Sequence, residues 1–256
     1  MQRKCAFCPA EAVEQGGEHV WDDWINKALP HTHYFARKRY SLESPIIEYN
    51  ADRLNEKLPV VCRRCNNGWM SKLSLKVKDR FSRTMLDGDP FSLGISDAAI
   101  LAAFTFMKAV VVDHNSPDDY ERFFTTAARE RFGTSLILPP LLKLWFAAYR
   151  GKARMSTRAN LSIVSTGTPS PIRGMEFLSF SYLIGQLTLQ LLAPRWKDIE
   201  NRGKPLLSLN PNVQWEEAAT PFWPHNGTTL PWPPPKIFAD ETIQLFIDRF
   251  NNPVNL

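Results

Sequence analysis

The sequence predicts an α+β protein: a small zinc-stabilised module at the N-terminus, then a larger α+β domain with buried helices and an antiparallel sheet. Three observations predict it. All four cysteines fall in two CxxC pairs, Cys5-Ala6-Phe7-Cys8 and Cys62-Arg63-Arg64-Cys65, within the first 65 residues. An apolar stripe at four-residue intervals follows the second pair directly. Beyond it, helical patterns give way to a series of strand-like runs.

The bulk properties agree with a folded chain. It has 256 residues, 44% of them hydrophobic, enough to build a sizeable core. Net charge is +5, and its distribution is uneven. Residues 1–85 hold 15 Lys and Arg against 10 Asp and Glu, whereas the remainder holds 16 of each. The whole excess of positive charge therefore lies with the cysteines, where it raises the local concentration of polyanions such as nucleic acid. No apolar leader precedes Cys5, and the longest apolar run, Ile100 to Val112, is interrupted by Lys108 and too short to span a bilayer. A cytoplasmic protein without a membrane role is the expectation. In a reducing compartment, two CxxC pairs read as thiolate metal ligands rather than disulfides.

Taken in order, residues 1–15 form a turn around Cys5 and Cys8, closed by Pro9. Gly16-Gly17 breaks the chain before Glu18-His19-Val20-Trp21. Val20, Trp21, Trp24 and Ile25 form a short apolar strand or turn leading into a brief helix. Pro30 to His33 is a loop, and Ser44 to Tyr49 reads as a strand. Asn66 can cap a helix in which Trp69, Leu73, Val77 and Phe81 make one stripe, flanked by Lys72, Lys76, Lys78, Arg80 and Arg83. Leu86-Asp87-Gly88-Asp89-Pro90 marks a boundary between a module at 1–85 and a domain at 95–256. In that domain, helices are expected near 97–113, 118–132 and 240–250. Strands fall within 142–192, as Leu142–Ala148, Ala159–Ser165, Met175–Tyr182 and Leu183–Leu192. A Pro- and Trp-rich stretch at 221–235 reads as an ordered, extended strap.

Cys5, Cys8, Cys62 and Cys65 can supply a tetrahedral four-thiolate site for structural Zn²⁺. The 53 residues between the pairs exceed what a simple zinc ribbon needs, so a small domain must fold between them. In such a segment zinc contributes directly to folding.

The combination Cys5-x2-Cys8, Glu18-His19-Val20 and Val61-Cys62-x2-Cys65-Asn66-Asn67-Gly68-Trp69 resembles the HNH endonucleases, nucleases of the ββα-metal (His-Me finger) superfamily. The resemblance covers roughly residues 1–80, by motif. It implies that His19 is a general base, and that Glu18 and Asn66 are ligands to a catalytic divalent ion. Hydrolysis of a phosphodiester needs an activated water and a Lewis acid, and an imidazole titrates where it can accept that proton at neutral pH. A carboxylate and an amide oxygen suit Mg²⁺ or Mn²⁺. Arg37, Lys38, Arg39, Arg63, Arg64, Lys72 and Lys76 are then candidate contacts to nucleic acid, DNA favoured. A solvated basic face is the alternative for each of them.

The sequence departs from the family in two places. The family's middle Asn, which orients the base, falls where this chain has Lys57, with Asn55 close but out of register. Where the family often has Pro shortly after the His, Asp22 and Asp23 follow Trp21, either of them an extra metal ligand or a plain helix cap. Neighbours on a strand point to opposite faces, so Glu18 and His19 serve one phosphate only if the strand bends there. His19 also reads as a hydrogen-bonded structural histidine, and His31 with His33 as a second metal pair or a surface loop. The leading expectation is a metal-dependent endonuclease, by analogy of a phage-related, mobile-element or anti-phage type. The alternatives are an inactive zinc-dependent DNA-binding protein and an interaction adaptor with a structural zinc module. The second domain could mediate a homodimer or a protein partnership.

Overall fold

The computed structural model describes residues 4–12, 17–29, 34–38, 47–51, 57–115, 121–164, 175–195 and 217–250. It is a mixed α+β protein with an antiparallel sheet and a four-cysteine cluster near its N-terminus. The chain forms two units. The first comprises Met1–Lys78 and Met107–Ile137, and the second comprises Asp79–Phe106 and Leu138–Leu256.

In the first unit, β1 (Glu18–His19) leads into α1 (Asp23–Ala28), the short apolar segment and brief helix read from the sequence. β2 (Tyr34–Lys38) and β3 (Ile47–Ala51) form an antiparallel pair, from Tyr34 opposite Ala51 to Lys38 opposite Ile47. The strand expected at 44–49 thus starts at Ile47 and has a partner that the pattern did not show. β4 (Lys57–Leu58) pairs with β1 and brings the chain to the second CxxC.

α2 (Arg63–Cys65) begins directly after Cys62 and leads through Asn66–Met70, where the chain kinks at Gly68 (φ −94, ψ −110), into α3 (Ser71–Asp87). Asn66 is therefore not an N-cap. It has helical backbone angles, and its N–H already donates to the Cys62 carbonyl at 3.0 Å. Leu73, Val77 and Phe81 form the expected buried stripe, and Met70, just after the kink, joins it.

The boundary expected at 86–90 does not separate the two units. α3 and α4 (Ile95–Asp113) each run from one unit into the other. The far end of α4 belongs with the N-terminal residues because Lys108 is bonded there. α3's last turn belongs with the sheet, where the Met85 carbonyl accepts from Gln186 N at 2.7 Å. α4 is apolar enough for a membrane span, with mean hydropathy 1.8, but 67% of that window is buried in protein.

α5 (Thr126–Ser135) is shorter than the helix expected at 118–132, whose first residues lie outside the described ones. The Asp113 carboxylate accepts the N–H groups of Phe123 and Phe124 and holds that stretch out of helical geometry. Thr125 then caps the helix by accepting from Ala128 N at 3.3 Å.

The second unit is built on a five-stranded antiparallel sheet of β6 (Lys143–Ala148), β7 (Met155–Val164), β8 (Met175–Ile184), β9 (Leu187–Pro194) and β10 (Ala219–Trp223), in the order β10-β6-β9-β8-β7. The break expected between Tyr182 and Leu183 moves to Gly185-Gln186. There Gly185 takes φ +57, and a Cβ would stand 2.0 Å from the Met85 carbonyl oxygen. The strap at 221–235 is strand in part: β10 pairs with β6, and β11 (Leu230–Trp232) pairs with β5 (Phe91–Leu93). Pro221 is tolerated because β10 is an edge strand, where a missing N–H costs no ladder bond. α6 (Asp240–Asp248) buries Ile243, Phe246 and Ile247 against Trp145, Phe177 and Leu192. Gln190 fastens its C-terminal end by donating to the Phe246 and Ile247 carbonyls.

Candidate functional site

The four cysteines meet in the first unit. Their sulfurs all lie within 4.8 Å of one another and are buried. Cys8 Sγ is 3.6 Å from Cys62 Sγ and 3.7 Å from Cys65 Sγ. A tetrahedron with Zn–S bonds of about 2.3 Å has edges of about 3.8 Å, so these two separations match those around one zinc ion. The backbone around them is already set. Phe7 N and Cys62 N donate to Cys5 Sγ at 3.5 and 3.2 Å, Cys5 N donates to the Ala10 carbonyl, and Ala6 N donates to the Val60 carbonyl. The two knuckles are thereby joined through protein bonds as well as through any shared ion.

The electrostatics fit the same ion. Burial pushes the Cys5 thiol up to about 11 and the Cys65 thiol higher still, because a lone buried thiolate is costly. A metal offsets that cost and releases the protons as it binds. The Trp69 indole N–H favours the Cys65 thiolate, and Nε1, itself buried, has no other acceptor among the described residues. The four cysteines can therefore hold a structural zinc.

α5 braces the first knuckle from a distance of more than a hundred residues. Arg129, itself buried, donates to the Ala6 carbonyl at 2.5 Å inside the CxxC, to the Phe124 carbonyl at 3.0 Å and to Thr126 Oγ1 at 3.0 Å. Phe132 packs with Phe7 and Trp69, its ring centroid 6.1 and 5.4 Å from theirs. Gly133 lets the helix approach: a Cβ there would stand 2.4 Å from the Phe7 carbonyl oxygen. Sequence reading assigned this helix no role. The glycine inside it was the visible sign, since mid-helix glycine costs about 1 kcal/mol and needs a reason.

The Glu18-His19 pair sits on β1, where Glu18 is opposite Leu58 and His19 is opposite Lys57. Gly17 permits this pairing, because a Cβ would fall 2.4 Å from the Leu58 carbonyl oxygen. The two side chains go different ways, as neighbours on a strand do. Glu18 is buried and His19 half-buried. Glu18 Oε1 accepts from Lys108 Nζ at 2.6 Å; Asp22 Oδ1 accepts from the same ammonium at 2.6 Å, and the His19 carbonyl at 2.9 Å. Lys108 is fully buried. Burial works against its charge, but Asp22 and Glu18 outweigh it and hold the ammonium above its ordinary pKa.

Asp22 is neither a side-chain cap nor part of a metal cluster among the described residues. Besides Lys108, it accepts from Ser74 Oγ and, at 3.3 Å, from Trp24 Nε1. Asp23 pairs on the surface with Lys27. Lys108 was legible only as a break in an apolar run. The physical signal was there, since a lone charge in a helix that is apolar all round needs a buried counter-charge.

The His19 ring makes no hydrogen bond among the described residues. Burial, then Lys57 across the ladder, holds it below the ordinary histidine pKa, so it is neutral at pH 7. Asn66 is half-exposed, two residues before the kink at Gly68. No second group of three or more His, Cys, Asp or Glu donors gathers among the described residues. Arg63, Arg64, Lys72 and Lys76 are exposed, on or beside the helix that follows the cluster. Arg37 and Lys38 lie on β2, while Arg39, His31, His33 and Asn55 fall outside the described residues. His114 is buried with Nδ1 on the Val110 carbonyl, and His225 Nδ1 accepts from Gly227 N. In comparisons with known proteins, no family model, no curated protein and no solved structure matches this chain.

Proposed function

We propose that the chain is a metal-dependent endonuclease of the HNH type, acting on nucleic acid, with DNA the favoured substrate and the cytoplasm its compartment. The observation that carries this reading is the placement of His19: a half-buried imidazole, with no hydrogen-bond partner among the described residues, on a strand joined to a four-cysteine clamp. β1 is held by β4, β4 runs into Val60, and Val60 is bonded to Ala6 between the first two cysteines. A zinc at the cysteines thus fixes the strand of His19 relative to the helix that begins after Cys62.

In this reading His19 takes the proton from the attacking water. Arg63 and Arg64 hold backbone phosphates and carry no sequence information. Glu18 and Asn66 offer a carboxylate and an amide oxygen, donors that suit Mg²⁺ or Mn²⁺. Such an ion, when bound, supplies Lewis-acid stabilisation of the phosphate. Glu18 would reach it through Oε2, which has no partner among the described residues, since Oε1 is bonded to Lys108.

A second reading has support of its own. Lys108 engages both carboxylates of the Glu18–Asp22 turn, and Lys57 stands opposite His19 in place of an orienting amide. Both features suit a module that binds nucleic acid without cleaving it. Plasmid nicking with Mg²⁺ or Mn²⁺ by zinc-loaded protein separates the two. Cleavage by wild type that is lost in His19→Ala supports the enzyme. Salt-sensitive binding with no cleavage of DNA or RNA supports the binding protein.

A further inference from the structure

We propose that Lys108 is a positioning residue for the His19 site: its ammonium, rather than a divalent ion, fixes the turn from Glu18 to Asp22, and so the direction in which His19 points. The inference rests on the nuclease reading for its catalytic consequence, and on geometry for the positioning itself.

The geometry is specific. An ammonium has three N–H donors, and Lys108 places three acceptors around one nitrogen: Glu18 Oε1, Asp22 Oδ1 and the His19 carbonyl. The last is on the backbone of the proposed base itself. Among the described residues the ladder holds β1 through two residue pairs, Glu18 with Leu58 and His19 with Lys57, and Lys108 adds a second restraint to this short strand. Asp22 passes the restraint on, since its carbonyl accepts the first helical N–H groups of α1 from Ile25 and Asn26, at 2.9 and 3.1 Å. Lys108 is fully buried and cannot reach a substrate. Its effect on chemistry therefore runs through His19 and Glu18. It also assigns the carboxylates: Asp22 is a partner of lysine and not a metal ligand, and Glu18 keeps one oxygen for an ion.

The test compares wild type, Lys108→Arg and the charge-matched double variant Lys108→Met/Asp22→Asn, all zinc-loaded. Fold is checked by circular dichroism and zinc content. The readouts are the histidine ring resonances by NMR, with His19 assigned from His19→Ala, and kcat and KM for plasmid nicking. In the double variant the His19 resonances shift or broaden while those of His114 and His225 stay. Its kcat falls on the order of 10²-fold, the usual cost of a misplaced group, with KM changed by less than about threefold. Lys108→Arg keeps the charge and recovers part of kcat. A folded double variant with wild-type His19 resonances and wild-type kcat overturns the proposal. If the double variant does not fold, Lys108→Arg decides, because a planar guanidinium cannot arrange three donors as an ammonium does, and unshifted His19 resonances overturn it. If wild type cleaves nothing, the nuclease reading fails, and the resonances alone decide whether Lys108 positions His19.

Discussion

Lys108 and Glu18 are ninety positions apart in sequence, and Nζ of the first lies 2.6 Å from Oε1 of the second, with the lysine fully buried and the glutamate side chain 10% exposed. This contact joins the last third of α4 to the strand that carries His19. A buried pair of this kind contributes little over a well-packed apolar replacement, yet breaking it leaves an unpaired buried charge. Here one lysine serves two carboxylates, so its loss strands both.

Lys108→Met alone should therefore destabilise the protein by about 3–5 kcal/mol. Adding Asp22→Asn and Glu18→Gln should recover a large part of that loss, because the desolvated charges go with it. Urea unfolding midpoints of the single and triple variants check this. A single variant as stable as wild type would show that the ion pairs do not hold the turn.

Removing zinc and removing His19 are expected to have different effects. The chain should bind one zinc, and removing it with a chelator or by Cys65→Ser should unfold the first unit, since structural zinc is worth on the order of 10 kcal/mol in small domains. His19→Ala should keep its zinc, lose less than about 1 kcal/mol, and abolish nicking. Metal analysis, thermal unfolding and the nicking assay measure the three effects. Loss of zinc on His19→Ala would make the histidine part of the clamp.

Gly133→Ala opposes two effects of known size. Alanine favours an isolated helix by about 1 kcal/mol. The new Cβ, however, would stand 2.4 Å from the Phe7 carbonyl oxygen, inside the knuckle that carries Cys5 and Cys8. That oxygen is backbone and cannot swing away, so the steric effect wins, with a net loss of about 1–3 kcal/mol. Zinc should also dissociate faster, which a colorimetric chelator records. A stabilised variant would mean that α5 does not rest on the knuckle.

Tyr149 sets an alkaline limit on the second unit. Burial, and its hydrogen bond to Asp240, push its phenol from 10.0 up to about 12. The folded state then keeps a proton that the unfolded state loses. Its contribution is fully present below pH 10 and is lost as pH rises from 10 towards 12. Tyr149→Phe removes this group and flattens that limb. Urea midpoints of both proteins at about pH 9 and pH 11 show it. Ultraviolet titration of tyrosinate gives an independent check, and ionisation of Tyr149 near its ordinary value would contradict the buried bond.

What could be read from the sequence was whatever repeats or clusters locally. The two CxxC pairs announced a metal-binding quartet, because each CxxC turn points two sulfurs one way. The stripe through Leu73, Val77 and Phe81 announced its helix, because four-residue spacing returns to one face. The four strand-like runs announced the sheet, though their ends moved where Gly185 and Pro221 set the turns and the edge.

The tertiary structure alone decided the partners. Asp113 shortened α5 by claiming the N–H groups of Phe123 and Phe124. Arg129 and Gly133 placed that helix on the first knuckle, and Lys108 drew Glu18 and Asp22 away from solvent. The reason is common to all three. Period and spacing record which face of an element is buried, but a lone charge or glycine within an element carries no record of the distant group it meets. The sequence by itself determined that four cysteines can hold one ion and that a glutamate stands next to His19. Only folding decided that the carboxylate next to that histidine is held by a lysine.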